Sequence, residues 1–203
     1  LLKEMEERRL AMCVISKSGT TTETAIAFRL LRDLMSRQDD SEPSDRIIAI
    51  TDPENGALRQ LAEEKGIQTF DIPPDVGGRF SILSPVGLLP CAVAGIPLAD
   101  MLKGAAEALD RYTGDTENNI MLLYALARYL LHLKGTAIEV LSTFHPELDL
   151  FCEWWKQLAG ESEGKKGRGL FPASTVMTTD LHSMGQLLQE GPRNILETFL
   201  VLS

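Results

Sequence analysis

The chain has 203 residues, 44% of them hydrophobic and 24% charged, which is enough apolar material for a sizeable core and excludes a disordered chain. Twenty Lys and Arg against 29 Asp and Glu give a formal net charge of −9. That balance argues against nucleic acid and anionic membrane as partners, since both attract basic surfaces. An anion can still be held locally by backbone amides and a few placed cations.

In chain order, Met12-Cys13-Val14-Ile15 is a short continuous apolar run, as in a parallel strand buried on both faces. It leads through Ser16–Thr24 into an amphipathic helix carrying Ala27, Phe28, Leu31, Leu34 and Met35, with Thr20 and Glu23 spaced as a capping box. Ile47–Ile50 is the next strand, followed by a Pro53/Gly56 turn and a helix around Leu58, Leu61 and Ala62 that closes at Gly66. A third strand, Gln68–Ile72, stops at Pro73-Pro74. After Gly77-Gly78-Arg79-Phe80-Ser81 the pattern predicts helices near Val86–Ala94 and from Pro97 to Tyr112.

Thr113-Gly114-Asp115 is the best candidate domain boundary. Beyond it the pattern predicts a long helix over Glu117–Lys134, a strand over Ala137–Thr143 and a helix from Pro146 to Gly160. A further helix over Asp180–Gln189 and a strand over Ile195–Leu202 complete the reading. Strands alternating with helices predict an α/β fold with parallel sheets and right-handed crossovers.

Cys13, Cys91 and Cys152 are odd in number and widely spaced, and read as buried thiols of a reducing compartment. The longest apolar runs, such as Ile120–Leu126, are too short to span a bilayer, and no secretory leader opens the chain. The expectation is a cytoplasmic protein without a metal site. Leu1 in place of an initiator Met marks the sequence as a piece of something longer.

Ser16–Thr24 places six hydroxyls between a buried strand and a helix start, with Gly19 permitting close backbone approach. Free amides and the positive end of the helix dipole make such a turn an anion site. Neither a P-loop nor a dinucleotide fingerprint is present, so a phosphate monoester fits better than a magnesium nucleotide. The plainer alternative is a Ser/Thr-rich cap on an ordinary helix.

Arg79 after its glycine pair could stabilise an oxyanion, although alone it reads as a surface arginine. Glu161 and Glu163 at a helix end offer a general base, although a solvated charge run is the commoner meaning. His132 reads as structural and His145 as a turn residue. His182, placed in the first turn of the expected 180–189 helix, is an acid/base candidate.

Four segments in the same order resemble the bacterial phosphoglucose isomerases: ISKSGTTTET (Ile15–Thr24), GGRFSILSPVGLLP (Gly77–Pro90), EWWKQLAGESEGK (Glu153–Lys165) and TTDLHSMGQ (Thr178–Gln186). The resemblance implies a sugar isomerase (SIS) fold, a three-layer αβα sandwich around parallel sheets. One nearly complete SIS unit would cover 1–112 without its first strand and helix, and part of a second would cover 113–203. It implies interconversion of glucose 6-phosphate and fructose 6-phosphate without a cofactor. Ser16, Ser18 and Thr21 then match the phosphate-holding hydroxyls, with the Lys17 backbone beside them. Arg79 matches the arginine facing the enediolate, Gln157 a glutamine near substrate, and Glu161 the base shuttling a proton between C2 and C1. His182 matches the ring-opening histidine, which the family takes from a neighbouring subunit, so the resemblance also implies a homodimer.

Family members also carry a Gly-Gly-Ser turn upstream and a lysine downstream that this sequence does not contain, so a truncated, catalytically weakened piece is expected. The competing readings are a SIS-type sugar-phosphate-binding module without catalysis and another phosphosugar isomerase. A sensor needs neither Glu161 nor His182, and GGRFS with ESEGK argues against the second.

Overall fold

The computed structural model describes residues 8–38, 43–114 and 119–202. The chain divides into two compact units, Leu1–Lys103 and Gly104–Ser203.

The first unit holds a three-stranded parallel sheet in the order β1-β2-β3. Strand β1 is Met12–Ile15, β2 is Ile47–Thr51 and β3 is Gln68–Asp71, with Ile15 opposite Ile50 and Thr51 opposite Asp71. Helix α1 (Thr22–Gln38) joins β1 to β2 through a short 3-10 turn at Pro43–Arg46, and α2 (Ala57–Lys65) joins β2 to β3. Val14, Phe28, Met35, Ile47, Ala49, Leu58, Ala62 and Ile67 form one core, so the apolar runs are buried between strand and helix as their spacing requires. Gly66 ends α2 in the left-handed region, its amide donating to Ala62 and Glu63 carbonyls. A 3-10 segment at Gly78–Leu83 leads to α3 (Pro85–Val93), capped by Ser84, and then to α4 (Leu98–Thr113), which spans the division between the units.

The second unit repeats the theme with the order β5-β4-β6, all parallel. Helix α5 is Ile120–Leu133, β4 is Ile138–Thr143, α6 is Asp149–Ser162, β5 is Phe171–Val176, α7 is Gly185–Glu190 and β6 is Ile195–Leu200. Asn119 caps α5 by accepting from the Leu122 amide (3.1 Å) while its own amide donates to Tyr112 (2.7 Å). Ile120, Leu123, Leu126, Tyr129, Leu130 and Leu133 of α5 are all exposed.

The α/β class with parallel sheets is what the sequence predicts. Four details differ. Helix α1 starts at Thr22 rather than at a Thr20 capping box, because the Thr20 hydroxyl donates to Ser18 Oγ instead (2.9 Å). Helix α6 runs through Gly160 to Ser162, which puts Glu161 inside its last turn. The helix expected over Asp180–Gln189 is a 3-10 turn at Thr179–Leu181 and a separate short α7, because the Asp180 side chain bonds local backbone and hydroxyl groups. Strand β5 escapes sequence reading, since Pro172 breaks its pattern; β5 is an edge strand, where a missing amide is tolerated. Asp115 of the expected boundary and Glu117 of the expected helix start lie outside the described residues.

The centre of the second sheet carries an ion. Glu139, 1% exposed on the middle strand β4, receives Arg128 Nε at 2.8 Å on both oxygens, Arg128 Nη2 at 2.5 Å and the Tyr124 hydroxyl at 2.7 Å. Burial opposes the charge on Arg128, but the bonds and charges of Glu139 and Glu163 outweigh it and raise its pKa above the usual guanidinium range. Removing one partner leaves the other buried and uncompensated. Arg128→Met is expected to destabilise the chain by about 3 kcal/mol, read as a lower midpoint in urea denaturation. Glu139→Gln with Arg128→Met together should recover part of that loss.

Candidate active-site segments

The carboxyl ends of β1 and β2 face a pocket of 410 Å³ lined by Lys17, Ser18, Thr21, Asp52, Asn55 and Gly56. Crevices at strand carboxyl ends are where open α/β sheets bind ligands. The β1 turn is held from below. Ser16 is buried, its amide donates to Ile50 O (3.0 Å), and its Oγ accepts the Gly19 amide (3.0 Å). Ser18 Oγ accepts the Thr20 amide (3.2 Å), and the Ser18 carbonyl accepts the Ala57 amide (3.0 Å). Thr21 O takes the Ala25 amide as the first bond of α1, leaving first-turn amides without intrahelical acceptors.

Two glycines allow the turns of β1 and β2 to touch. Gly19 has φ +72° and a Cβ there would lie 2.3 Å from Leu58 N; Gly56 has φ +106° and its Cβ would lie 2.7 Å from Ser18 O. Gly19→Ala is expected to cost about 2 kcal/mol of stability and to deform the pocket, measurable by denaturation.

Asp52, Asn55 and Gly56 are the pocket residues that sequence reasoning misses. An Asp-Pro-Glu-Asn-Gly turn after an apolar strand is the signal, readable only once β1 and β2 are known to be neighbours. Asp52 brings a carboxylate to this pocket, and that carboxylate is engaged by local backbone. Amides of Glu54 (3.0 Å) and Asn55 (2.9 Å) bind one oxygen, and these bonds, followed by the nearby charge of Lys17, hold its pKa below the usual carboxylate value.

Arg79, also in the first unit, is half-buried, with its guanidinium carbon 5.2 Å from the centre of the Phe80 ring. Its turn is bound by Ser81 Oγ donating to Gly78 O (2.6 Å) and by Ser84 Oγ donating to Ser81 O (2.6 Å). Gly87 is required there, because a Cβ would sit 2.2 Å from Ile82 O.

In the second unit, Gln157 and Glu161 are one turn apart on α6, and Gln157 Nε2 donates to Glu161 Oε1 (3.1 Å); both are exposed. Glu163 differs sharply. Its Oε1 accepts Arg128 Nη2 (2.8 Å) and its Oε2 accepts the Leu170 amide (3.2 Å). Both oxygens of the rival carboxylate are therefore held by structural donors. His182 is exposed and caps the 3-10 turn rather than opening a helix, its amide donating to Thr179 O (3.1 Å). His132 Nδ1 lies 3.2 Å from Thr136 O at the end of α5, and His145 Nδ1 lies 3.5 Å from Glu147. Among the described residues no cluster of three or more His, Cys, Asp or Glu could hold a metal ion.

The family model for phosphoglucose isomerase matches residues 1–195. The chain belongs to the phosphoglucose isomerase family. A glucose-6-phosphate isomerase of Caldanaerobacter subterraneus is 54% identical over 202 residues, covering 98% of this chain and 45% of that relative. The chain thus spans less than half the length of the curated relatives it matches. Among solved structures, a hypothetical protein from Thermus thermophilus superposes with a TM-score of 0.91 at 34% identity, over 99% of this chain and 49% of that one. A glucose-6-phosphate isomerase from Chlamydia trachomatis superposes with a TM-score of 0.81 at 25% identity, over 97% of this chain and 41% of that one.

Asp180 sets the turn that presents His182. Its Oδ2 accepts the Val176 amide and its Oδ1 the Ser183 hydroxyl, each at 2.8 Å, and these bonds, the amide first, lower its pKa. A carboxyl held low contributes stability that is full above the ordinary carboxylate range and is lost as pH falls through the lowered value. Thermal melts from about pH 6 to about pH 2 should therefore fall less steeply for Asp180→Asn than for the unmodified chain.

Proposed function

We propose that this chain carries the central part of an enzyme interconverting glucose 6-phosphate and fructose 6-phosphate through an enediolate. Two SIS-type domains, 1–112 and 113–203, would contribute its segments. The observation that carries the reading is the Gln157–Glu161 pair: the two residues that the motif assigns to the substrate lie one turn apart on α6, hydrogen-bonded to each other and both exposed. A base must reach substrate, and the family motif puts the base at Glu161.

The phosphate group is held at the turn of β1 by the hydroxyls of Ser16, Ser18 and Thr21 and the Lys17 backbone. This anchor is remote from the reacting carbons and positions C1 and C2 for proton transfer. His182, supplied by the neighbouring protomer of a homodimer, opens the sugar ring by transferring a proton at the ring oxygen. Glu161, helped by Gln157, removes the C2 proton of the open aldose and returns it to C1. The proton moves within one carboxyl, so the sugar's own electrons are redistributed and no redox partner is consumed. Arg79 faces the enediolate oxygen and stabilises the charge that develops there.

A cytoplasmic, glycolytic setting fits. Cys13, Cys91 and Cys152 are free thiols, although only Cys152 is buried as the sequence leads one to expect, Cys13 being exposed and Cys91 half-buried. Among the described residues no helix is long and apolar enough to cross a membrane. The test is NMR of fructose 6-phosphate in D2O with this chain. Deuterium is expected to enter at C1, and Glu161→Gln should slow entry by about 10² to 10⁴-fold while fructose 6-phosphate still shifts resonances of Ser16–Thr24. Entry unaffected by Glu161→Gln would refute the base. Binding at Ser16–Thr24 without deuterium entry in the unmodified chain would mean a piece that binds the sugar phosphate but is catalytically incomplete.

A further inference from the structure

Lys17 follows β1 directly, and its backbone and side chain serve different strands. Its carbonyl accepts the Thr51 hydroxyl (3.2 Å) and the Asp52 amide (3.4 Å), both at the end of the middle strand β2. Its ammonium donates to the carbonyls of Pro74 (2.7 Å) and Val76 (3.3 Å), in the segment that follows β3. In a sheet ordered β1-β2-β3 the outer strands are about 9.5 Å apart, so this side chain crosses the end of β2 to reach them.

The segment it reaches leads straight into Gly77-Gly78-Arg79. The glycine pair borders open space: a Cβ on Gly78 would meet no heavy atom within 4 Å, and one on Gly77 would meet the Phe80 ring at 3.7 Å. Among the bonds that fix this segment are the turn bond from the Val76 amide to Pro73 O (3.0 Å), the bond from the Phe80 amide to Gly77 O (3.0 Å), the Ser81 hydroxyl on Gly78 O, and the two from Lys17. Carbonyls accept only, and a lysine ammonium offers three donors at the end of a long arm, so the residue type matches the task. Lys17 also lines the pocket beside Ser18 and Thr21.

We propose that Lys17 is a positioning residue whose ammonium ties the Arg79 turn to the anion-binding turn of β1. One side chain then sets both the place where phosphate is seated and the place from which Arg79 acts. Its bearing on catalysis rests on the isomerase reading, but the tether itself is a property of the first unit alone.

The test is amide hydrogen exchange followed by NMR on the uniformly labelled chain. Lys17→Met keeps the apolar stem and removes the donors. It is expected to speed exchange at Gly77, Gly78 and Arg79 by about tenfold, with β4 amides unchanged. Lys17→Arg, which restores donors, should bring those amides back to within about threefold of the unmodified chain. Inorganic phosphate should slow exchange at Gly77–Arg79 in the unmodified chain and fail to do so in Lys17→Met. Unchanged exchange at Gly77–Arg79 in Lys17→Met overturns the proposal. So does loosening that spreads through β1, β2 and β3, or that Lys17→Arg leaves uncorrected. If Lys17→Met loosens the Arg79 turn but phosphate perturbs no amide of Ser16–Thr21 in any variant, the tether stands and the phosphate anchor of the isomerase reading falls.

Discussion

A carboxylate buried in the middle of a sheet is the constraint around which the second unit is organised. Glu139 occupies a β4 position that an aliphatic residue could fill at no electrostatic cost, and its ionised form is tolerated only because three donor groups converge on it. Two of its partners, Tyr124 and Arg128, come from one helix, so burying the charge also fixes the rotation and height of α5 against the sheet. Arg128 then reaches Glu163, which in turn takes the Leu170 amide just before β5. The ion pair is thereby extended from the core to the turn that follows Glu161.

The first unit meets a similar demand with backbone geometry and neutral groups. Its turns at the ends of β1 and β2 are knitted by carbonyls, amides and hydroxyls, and the buried Arg59 adds a second layer. Arg59 Nε donates to Asp52 O (2.8 Å), Nη1 to Thr69 Oγ1 (2.9 Å), and Nη2 pairs with Asp71. One guanidinium thus joins the carboxyl end of β2 to β3, while Lys17 joins β1 to the loop beyond β3. With Asp71 exposed the ion pair is worth little by itself, but the hydrogen bonds from the buried guanidinium to Asp52 O and Thr69 give it directional content.

Strands β1 and β2 are readable because they are continuous apolar runs, and the largely exposed β3 because Pro73-Pro74 stops it, while the periodicity of α1 and α2 ends at a turn with recognisable chemistry, Gly66 above all. Strand β5 is not readable: its Pro172, Ser174 and Thr175 look like loop residues, and only the neighbouring strand explains them, since Thr175 Oγ1 shares a 2.6 Å bond with Ser142 on β4. The break at Asp180 is hidden for the same reason, because periodicity records which residues are apolar and is blind to a side chain that bonds the backbone. At the turn that follows β1, the hydroxyls of Ser16, Ser18 and Thr21 are visible in one stretch of chain, whereas Asp52 and Asn55 join them only through the β1–β2 pairing. Glu161 is singled out by sequence motif alone; the engagement of Glu163 by Arg128 and the Leu170 amide is a three-dimensional fact.

The interlocked glycines at the ends of β1 and β2 have a consequence for evolutionary change. Loops are ordinarily where a protein varies most freely, since they border solvent rather than neighbours. Here Gly19 is pressed against the start of α2 and Gly56 against the carbonyl of Ser18, so each turn is the steric wall of the other. A side chain gained at either position finds backbone in its way, and no rotamer change across the gap makes room. The two turns can drift only as a pair, with both backbones rebuilt at once. Single-step mutation has no path to that, which leaves this rim less free to diverge than the exposed helix surfaces around it.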